Sequence, residues 1–225
     1  AIGLLAGNIA HELNNPLTGI RSLSQVLMQE IPPGQLRDDI AEVEKAAARS
    51  QKIIENLLAF SKGGSDEKQV LIPLNEIVRR TLPMLKTAMR EHRCELLLSE
   101  EENQVRVEPH LMQQVVFNLV NNACHAMKDP GTITIETGLV TDKKGKRWCV
   151  LKVKDTGIGI PPEIIDNIFE PFFTTKEEGQ GTGLGLSMCQ SVIQNFGGEI
   201  SVKSQPGGTE FTVKLPERTH ENPDR

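Results

Sequence analysis

The chain has 225 residues, a formal net charge of −5 and 38% hydrophobic content, enough apolar material for one or two packed domains. The acidic balance, with no Lys/Arg block and no aromatic–basic interleaving, argues against a general nucleic-acid surface. No signal peptide is present, and no run of about 18 apolar residues that would span a membrane. Cys94, Cys124, Cys149 and Cys189 lie far apart beside apolar residues, which reads as buried free thiols in a reducing compartment rather than disulfides or zinc ligands. The chain starts at Ala1 already inside helical periodicity, so it reads as the cytoplasmic part of something longer.

The first predicted element is a helix over 2–30. Ile2, Ala6, Ile9, Leu13, Pro16, Ile20, Leu23 and Leu27 recur at a four–three spacing, a coiled-coil-like seam. With Leu13 and Ile20 as a positions, His11 is an f position opposite the seam and facing solvent. Glu12 flanks it, and Asn15 lies one turn along on the same face. Pro16 removes a backbone donor in mid-helix and should bend it, at roughly 3 kcal/mol if nothing compensates. Taken alone, this is more simply a solvated face that happens to hold a histidine. Ile31-Pro32-Pro33-Gly34 breaks the helix, and a second follows over 36–61 with Val43, Ala47, Ser50, Ile54 and Leu57 repeating the spacing. Such a hairpin cannot bury a seam on both helices alone, so a second copy forming a four-helix bundle is implied; a coiled-coil spacer without chemistry is the alternative.

Residues 62–69 (KGGSDEKQ) read as a linker and domain boundary. Beyond them the pattern predicts a helix over 75–91 bent at Pro83, strands over 95–99 and 104–107, and a strong amphipathic helix over 110–127. Strands over 132–141 and 148–154 flank the turn DKKGK. A short helix over 162–169, a loop over 170–183, a helix over 184–196 ending at Gly197-Gly198, and strands over 199–204 and 209–215 complete the chain. Helices mixed with mostly antiparallel strands suggest an α+β two-layer sandwich, helices on one face of a sheet. Residues 216–225 form a polar tail.

Four stretches of this second half carry chemistry. Asn118 and Asn122 share a helix face, where neutral amides could ligate a hard cation and donate to phosphates. Alone they read equally as a solvated polar face. Along the strand before Asp155, alternation puts Cys149, Leu151, Val153 and Asp155 on one face. The carboxylate therefore ends an apolar row, where it could accept from an adenine amine while Gly157 and Gly159 let backbone approach a flat ring. Gly179–Leu186 (GQGTGLGL) feeds into a helix and offers backbone amides to phosphates. It is neither a P-loop nor a dinucleotide fingerprint. Phe169-Glu170-Pro171-Phe172-Phe173 could anchor one end of that loop through Lys176, although alone the cluster reads as core.

His11 in HELNNP, Asn118–Ala123 (NLVNNA), Asp155–Gly159 (DTGIG), Phe169–Phe173 (FEPFF) and Gly181–Gly185 (GTGLG) occur in the order and rough spacing of bacterial sensor histidine kinases. The chain resembles that family over nearly its whole length, with a nitrogen-regulator-type flavour given by NNACHAM. The resemblance implies a dimerisation and phosphotransfer hairpin over 1–61, a linker over 62–69, and a domain of the gyrase–chaperone–histidine-kinase ATP-binding type over 70–218, then a tail over 219–225. It implies a homodimer that binds ATP and Mg²⁺ and serves a response-regulator receiver domain. His11 would be the phosphoacceptor, with Glu12 as base or orienter and Asn118 as the magnesium ligand. Asn122 would lie near the phosphates, and Asp155 would read adenine with Thr209 near the same ring. Gly157 and Gly159 would line the base pocket; Lys176, Gly181, Thr182, Gly183, Leu184 and Gly185 would belong to the lid around the phosphates. His125 departs from the pattern, standing where many relatives place Lys or Arg. An ATPase machine on the same fold would need a glutamate at Asn118 to activate water, and a non-catalytic scaffold would need a broken motif. Glu12 and Asn15 also form an E-x-x-N pattern that resembles a phosphatase signature for the regulator.

Overall fold

The Pro-Pro-Gly stretch separates two long helices, α1 (Ile2–Glu30) and α2 (Gln35–Ser61), within a residue of the expected limits. The computed structural model describes residues 2–61, 69–101, 103–176 and 182–218, without the side chains of 2–12, 52, 53 and 55–61. Most of the expected linker and all of 219–225 therefore lie outside the described residues. The chain divides into two compact units, Ala1–Ser65 with Phe172–Leu184, and Asp66–Pro171 with Gly185–Arg225.

In the first unit the two helices meet along a stripe that on α1 differs from the four–three reading. Asn14, Leu17, Arg21, Ser24, Leu27 and Met28 are the covered positions among the described side chains of α1, and of these only Leu27 belongs to the expected seam. Polar rungs cross to α2: Arg21 Nε donates to Glu44 Oε1 at 2.9 Å and its Nη1 to Gln51 Oε1 at 2.8 Å. Gln25 Nε2 also donates to Glu44 Oε1, and Gln51 Nε2 to Thr18 Oγ1. Of the expected seam, Leu13, Ile20 and Leu23 of α1 and Val43 of α2 are exposed by 43–61%, whereas Ala47 and Ile54 of α2 are buried as the spacing predicts. On α1 the face turned to its hairpin partner is the polar one, from which Arg21 and Gln25 reach Glu44.

The second unit holds two sheets. β1 (Val70–Pro73), a strand absent from the sequence reading, pairs antiparallel with β3 (Gln104–Val107). The larger sheet has five strands in the order β2-β4-β5-β7-β6, with β2 (Arg93–Leu97), β4 (Thr132–Thr141), β5 (Arg147–Asp155), β6 (Glu199–Gln205) and β7 (Gly208–Pro216). Only the β2–β4 pair is parallel. α3 (Leu74–Leu85) and α5 (Gly185–Asn195) flank a central helix, α4 (Pro109–Ala126), which packs on β4 and β5. Ile133 and Ile135 of β4, Leu151 and Val153 of β5, and Phe211 and Val213 of β7 form the buried row beneath α4. Truncating a fully buried Leu such as Leu151 to Ala costs about 2–5 kcal/mol in such a core. The opposite face carries pairs such as Lys152–Glu136 and Lys214–Glu199. This is the expected two-layer α+β arrangement.

Two predicted helices are shorter than expected. α3 stops at Leu85 rather than 91; beyond it Arg90 N and His92 N reach back only three residues, to Thr87 O and Met89 O. Over 162–169 only Pro162–Ile164 is helical, as a 3₁₀ turn. Its bonds and those after it, Ile164 N to Pro161 O, Asn167 N to Ile164 O and Glu170 N to Asn167 O, all reach back three residues. α5 ends where Gly197-Gly198 predicts. Gly197 is at φ +71, its N–H donates to Gln194 O, and Gly198 N–H donates to Ile193 O, a Schellman cap. The β4–β5 turn is pinned by Asp142. Its carboxylate accepts from Lys144 N, Lys146 N and Trp148 Nε1 at 2.8–3.1 Å, and Lys146 Nζ lies 4.2 Å over the Trp148 ring. All four cysteines are free; Cys124, Cys149 and Cys189 are buried, while Cys94 on the edge strand is half-buried.

Candidate functional site

Asp155 ends β5 in the buried row and is only 3% exposed, as the alternation required. Its Oδ1 accepts from Gly157 N at 2.8 Å and Thr209 N at 3.3 Å, whereas Oδ2 makes no hydrogen bond among the described residues. Burial pushes its carboxyl above the usual carboxylate range, opposed by those two N–H groups. A buried carboxylate with one oxygen pinned and one left over suits a single neutral donor such as a ring amine.

The two glycines after Asp155 are demanded by the protein's own packing. A Cβ on Gly157 would come within 2.6 Å of Ala126 O, the last helical carbonyl of α4, which already accepts from Ile158 N at 3.1 Å. Gly159 stands at φ +79, and a Cβ there would run into the Gln205 carbonyl. The loop is thereby wedged between the end of α4 and the β6–β7 turn. Ser204 completes the wedge: its Oγ accepts from Ile160 N at 2.7 Å and shares a 2.9 Å hydrogen bond with Thr209 Oγ1. Thr209 is buried beside Asp155. Sequence reasoning missed Ser204, since a serine in a strand carries no pattern of its own.

Asn118 and Asn122 both lie on α4 and are half-buried. Cys189 of α5, another residue without a sequence signal, orients the first: Asn118 Nδ2 lies 3.9 Å from its Sγ, which leaves Oδ1 as the free end. Burial holds the Cys189 thiol up at about 12, so it stays an uncharged acceptor. Gly185, which opens α5, would bring a Cβ within 3.9 Å of the Asn118 amide carbon, placing that helix N-terminus beside Asn118. His125, on the last turn of α4, is exposed and bonds Asn121 O through Nδ1 at 2.7 Å.

The FEPFF cluster divides. Phe169 packs edge-on against Phe211 with centroids 6.4 Å apart, but Phe172 is 64% exposed at φ +68. Phe172 N donates to Gly183 O at 3.0 Å. Gly183 stands at φ +65, where a Cβ would meet the Phe172 backbone. Lys176 is half-buried, and loss of solvent lowers its ammonium from the usual range. Thr182 Oγ1 accepts from Leu184 N at 3.4 Å; Gly181 lies outside the described residues. On α1, Asn15 and Thr18 are exposed, Thr18 being seven residues on from His11, while the side chains of His11 and Glu12 lie outside the described residues.

The second unit therefore brings Asp155, Gly157, Gly159 and Thr209 together at one end of β5, and Asn118 together with Gly185. These groups fit a purine nucleotide, with the leftover Asp155 oxygen for the base and the start of α5 for phosphate. For a divalent cation they supply one oxygen, Asn118 Oδ1. No cluster of three or more His, Cys, Asp or Glu that could hold a metal ion occurs among the described residues. No helix among the described residues is long and apolar enough to cross a membrane.

Two family descriptions match the chain: His Kinase A (phospho-acceptor) domain over residues 1–66, and Histidine kinase-, DNA gyrase B-, and HSP90-like ATPase over residues 107–219. The sensor histidine kinase ZraS of Salmonella typhi is 35% identical over 220 residues, 96% of this chain and 46% of that protein. The sensory histidine kinase/phosphatase NtrB of Vibrio alginolyticus is 33% identical over 223 residues, 96% of this chain and 63% of that one. The chain thus spans about half the length of the first of these relatives. Among solved structures, the crystal structure of histidine kinase ThkA in complex with response regulator protein TrrA is similar with a TM-score of 0.66 and 26% identity, over 96% of this chain and 62% of that one.

Proposed function

The chain belongs to the sensor histidine kinases, and on that footing we propose that it autophosphorylates His11 from ATP and passes the phosphoryl group to a response-regulator aspartate. The observation that carries the reading is Asp155, buried at the end of the β5 row with Oδ1 held by two backbone amides and Oδ2 open to a base amine. His11 acts as nucleophile through a neutral imidazole nitrogen, and Glu12 holds or takes the other ring proton. Asn122 lies near the phosphates, and Lys176, Gly181, Thr182, Gly183, Leu184 and Gly185 belong to the lid around them. Mg²⁺, held by Asn118 and phosphate oxygens, neutralises charge on the transferring group.

We assign residues 1–61 to a dimerising phosphotransfer hairpin, 62–69 to a hinge, 70–218 to the ATP-binding domain and 219–225 to a tail, all cytoplasmic. The bare stripe of Leu13, Ile20 and Leu23, with Val43 of α2, supports a second copy completing a four-helix bundle. A regulator phosphatase activity on the same helix is a second reading, favoured by exposed Asn15 one turn after His11 and by the likeness to a kinase/phosphatase.

Incubation with γ-labelled ATP and Mg²⁺, followed by acid or base, tests the proposal. Label lost in acid, stable in base and absent from His11→Gln, which still binds ATP, is the expected result. Label persisting on His11→Gln would overturn the assignment.

A further inference from the structure

α3 and the turns that follow it gather cations that are scattered in sequence. Arg79, Pro83, Lys86 and Arg90 recur at a four–three–four spacing, one stripe of a helix, and Arg80 and Met84 stand beside it; all six are exposed. Lys86 keeps helical backbone angles, φ −51 and ψ −41, and Met89 N donates to Leu85 O at 2.9 Å, so the stripe runs on past Leu85. Arg79 and Lys86 stand about 10 Å apart along the axis at 1.5 Å per residue. From Ile77 to Arg90 there is no carboxylate, in a chain whose net charge is −5. Glu76, just before, pairs with Arg80 at 2.8 Å, and Glu91 follows. Arg79, Lys86 and Arg90 pair with no carboxylate among the described residues. Nor do the elements packed on α3 supply one: β1 reads VLIP, and α4 contains neither Asp nor Glu.

We propose that this outer face of α3 docks on an anionic phospholipid surface. A negatively charged bilayer attracts each Lys or Arg brought near it, by roughly fivefold in affinity per residue, and salt screens the attraction. Met84 favours a bilayer over an acidic protein, because it is 59% exposed in the middle of the cations. A helix face is convex, and headgroups with acyl chains beneath them offer it charge and apolar depth without a matching groove. The arginine and lysine stems lie along the apolar boundary while their charged heads stay with the phosphates. Nucleic acid fits less well, since residues 74–92 contain no aromatic side chain on which a base could stack.

Cosedimentation of the full chain with vesicles tests this, comparing phosphatidylcholine alone with phosphatidylcholine containing phosphatidylglycerol. The expected result is capture by the anionic vesicles only, lost at high salt. Arg79→Gln, Lys86→Gln and Arg90→Gln combined should weaken it roughly a hundredfold, at about fivefold per cation. Met84→Ser alone should weaken it and leave its salt dependence unchanged. ATP binding and melting temperature should match the parent in both variants, since none of these four side chains belongs to the nucleotide site. Arg79→Gln alone, with an expected loss of about fivefold, serves if the triple variant melts lower. Equal capture by both vesicle types, capture that survives the triple substitution, parental binding by Met84→Ser, or no capture would each overturn the proposal. Tighter binding of poly-glutamate than of anionic vesicles would also overturn it and assign the face to an acidic protein.

Discussion

Asp155 serves two opposed demands. Desolvation raises its carboxyl pKa in the fold, so the native state holds the proton more tightly than the unfolded chain. That contribution to stability is complete below the unfolded carboxylate pKa and is lost as pH rises through the folded one. At neutral pH the ionised group is a cost that a base amine would offset. Asp155→Asn is therefore expected to melt higher than the parent at neutral pH without nucleotide, and equally with it in acid. The same variant should bind ATP more weakly, by about 1–3 kcal/mol for a lost buried polar contact, and inorganic triphosphate unchanged. Thermal melts across pH and calorimetry with both ligands check the two halves; equal losses for ATP and triphosphate would remove Asp155 from the base site. Under the proposed assignment the two polar neighbours of His11 would divide the chemistry, because a carboxylate can take a proton and an amide cannot. Glu12→Ala should lose most autophosphorylation, whereas Asn15→Ala should keep it and lose dephosphorylation of the regulator. Kinase rate, regulator dephosphorylation and melting temperature measured on one Asn15→Ala sample decide the matter, since a purely structural role lowers all three.

At the scale of elements, the loop after β5 is held by contacts that leave no room for a methyl group. Gly157→Ala pushes its Cβ against Ala126 O, so the end of α4 or the loop must shift, at about 1–3 kcal/mol for an overpacked site. The expected outcome is a lower melting temperature together with weaker ATP binding. Gly138→Ala, with nothing within 4 Å of the added carbon, serves as the control and should leave ATP binding unchanged. Elements were legible in the sequence where a chemical stop or a strict period marked them. Pro-Pro-Gly ended α1, Gly197-Gly198 ended α5, and the alternation from Cys149 to Asp155 told which face the carboxylate takes. β1 was not legible, because four residues ending in proline carry too little pattern to distinguish a strand from a loop. The contact stripe of α1 was misread for another reason. Arg21 does not look like a packing residue, and only α2 supplies the Glu44 and Gln51 that make it one. Cys189 and Ser204 stayed invisible because their roles arise from neighbours 71 and 44 residues away.

For the whole molecule, the exposed apolar stripe on the hairpin puts the proposed second copy to the test. Ile20 and Leu23 are 43% and 61% exposed, and placing charges there removes the reason for a second copy to cover them. Ile20→Glu combined with Leu23→Glu is expected to give a monomer by sedimentation. ATP binding should remain, since Asp155, Thr209 and Asn118 belong to the other unit.

The pinned β4–β5 turn has a consequence for how this protein can be watched. The chain contains one tryptophan and no tyrosine, so its ultraviolet emission comes almost wholly from the indole of Trp148. That ring is tethered to Asp142 and covered by Lys146, at the opposite end of β5 from Asp155 and about 23 Å away at 3.3 Å per residue. Filling the nucleotide site should therefore leave the spectrum unmoved, whereas global unfolding frees the indole from both contacts at once. A fluorescence denaturation curve then reports cooperative loss of the second unit free of any ligand signal, and the midpoint shift produced by added ATP becomes a direct measure of its affinity for the folded state.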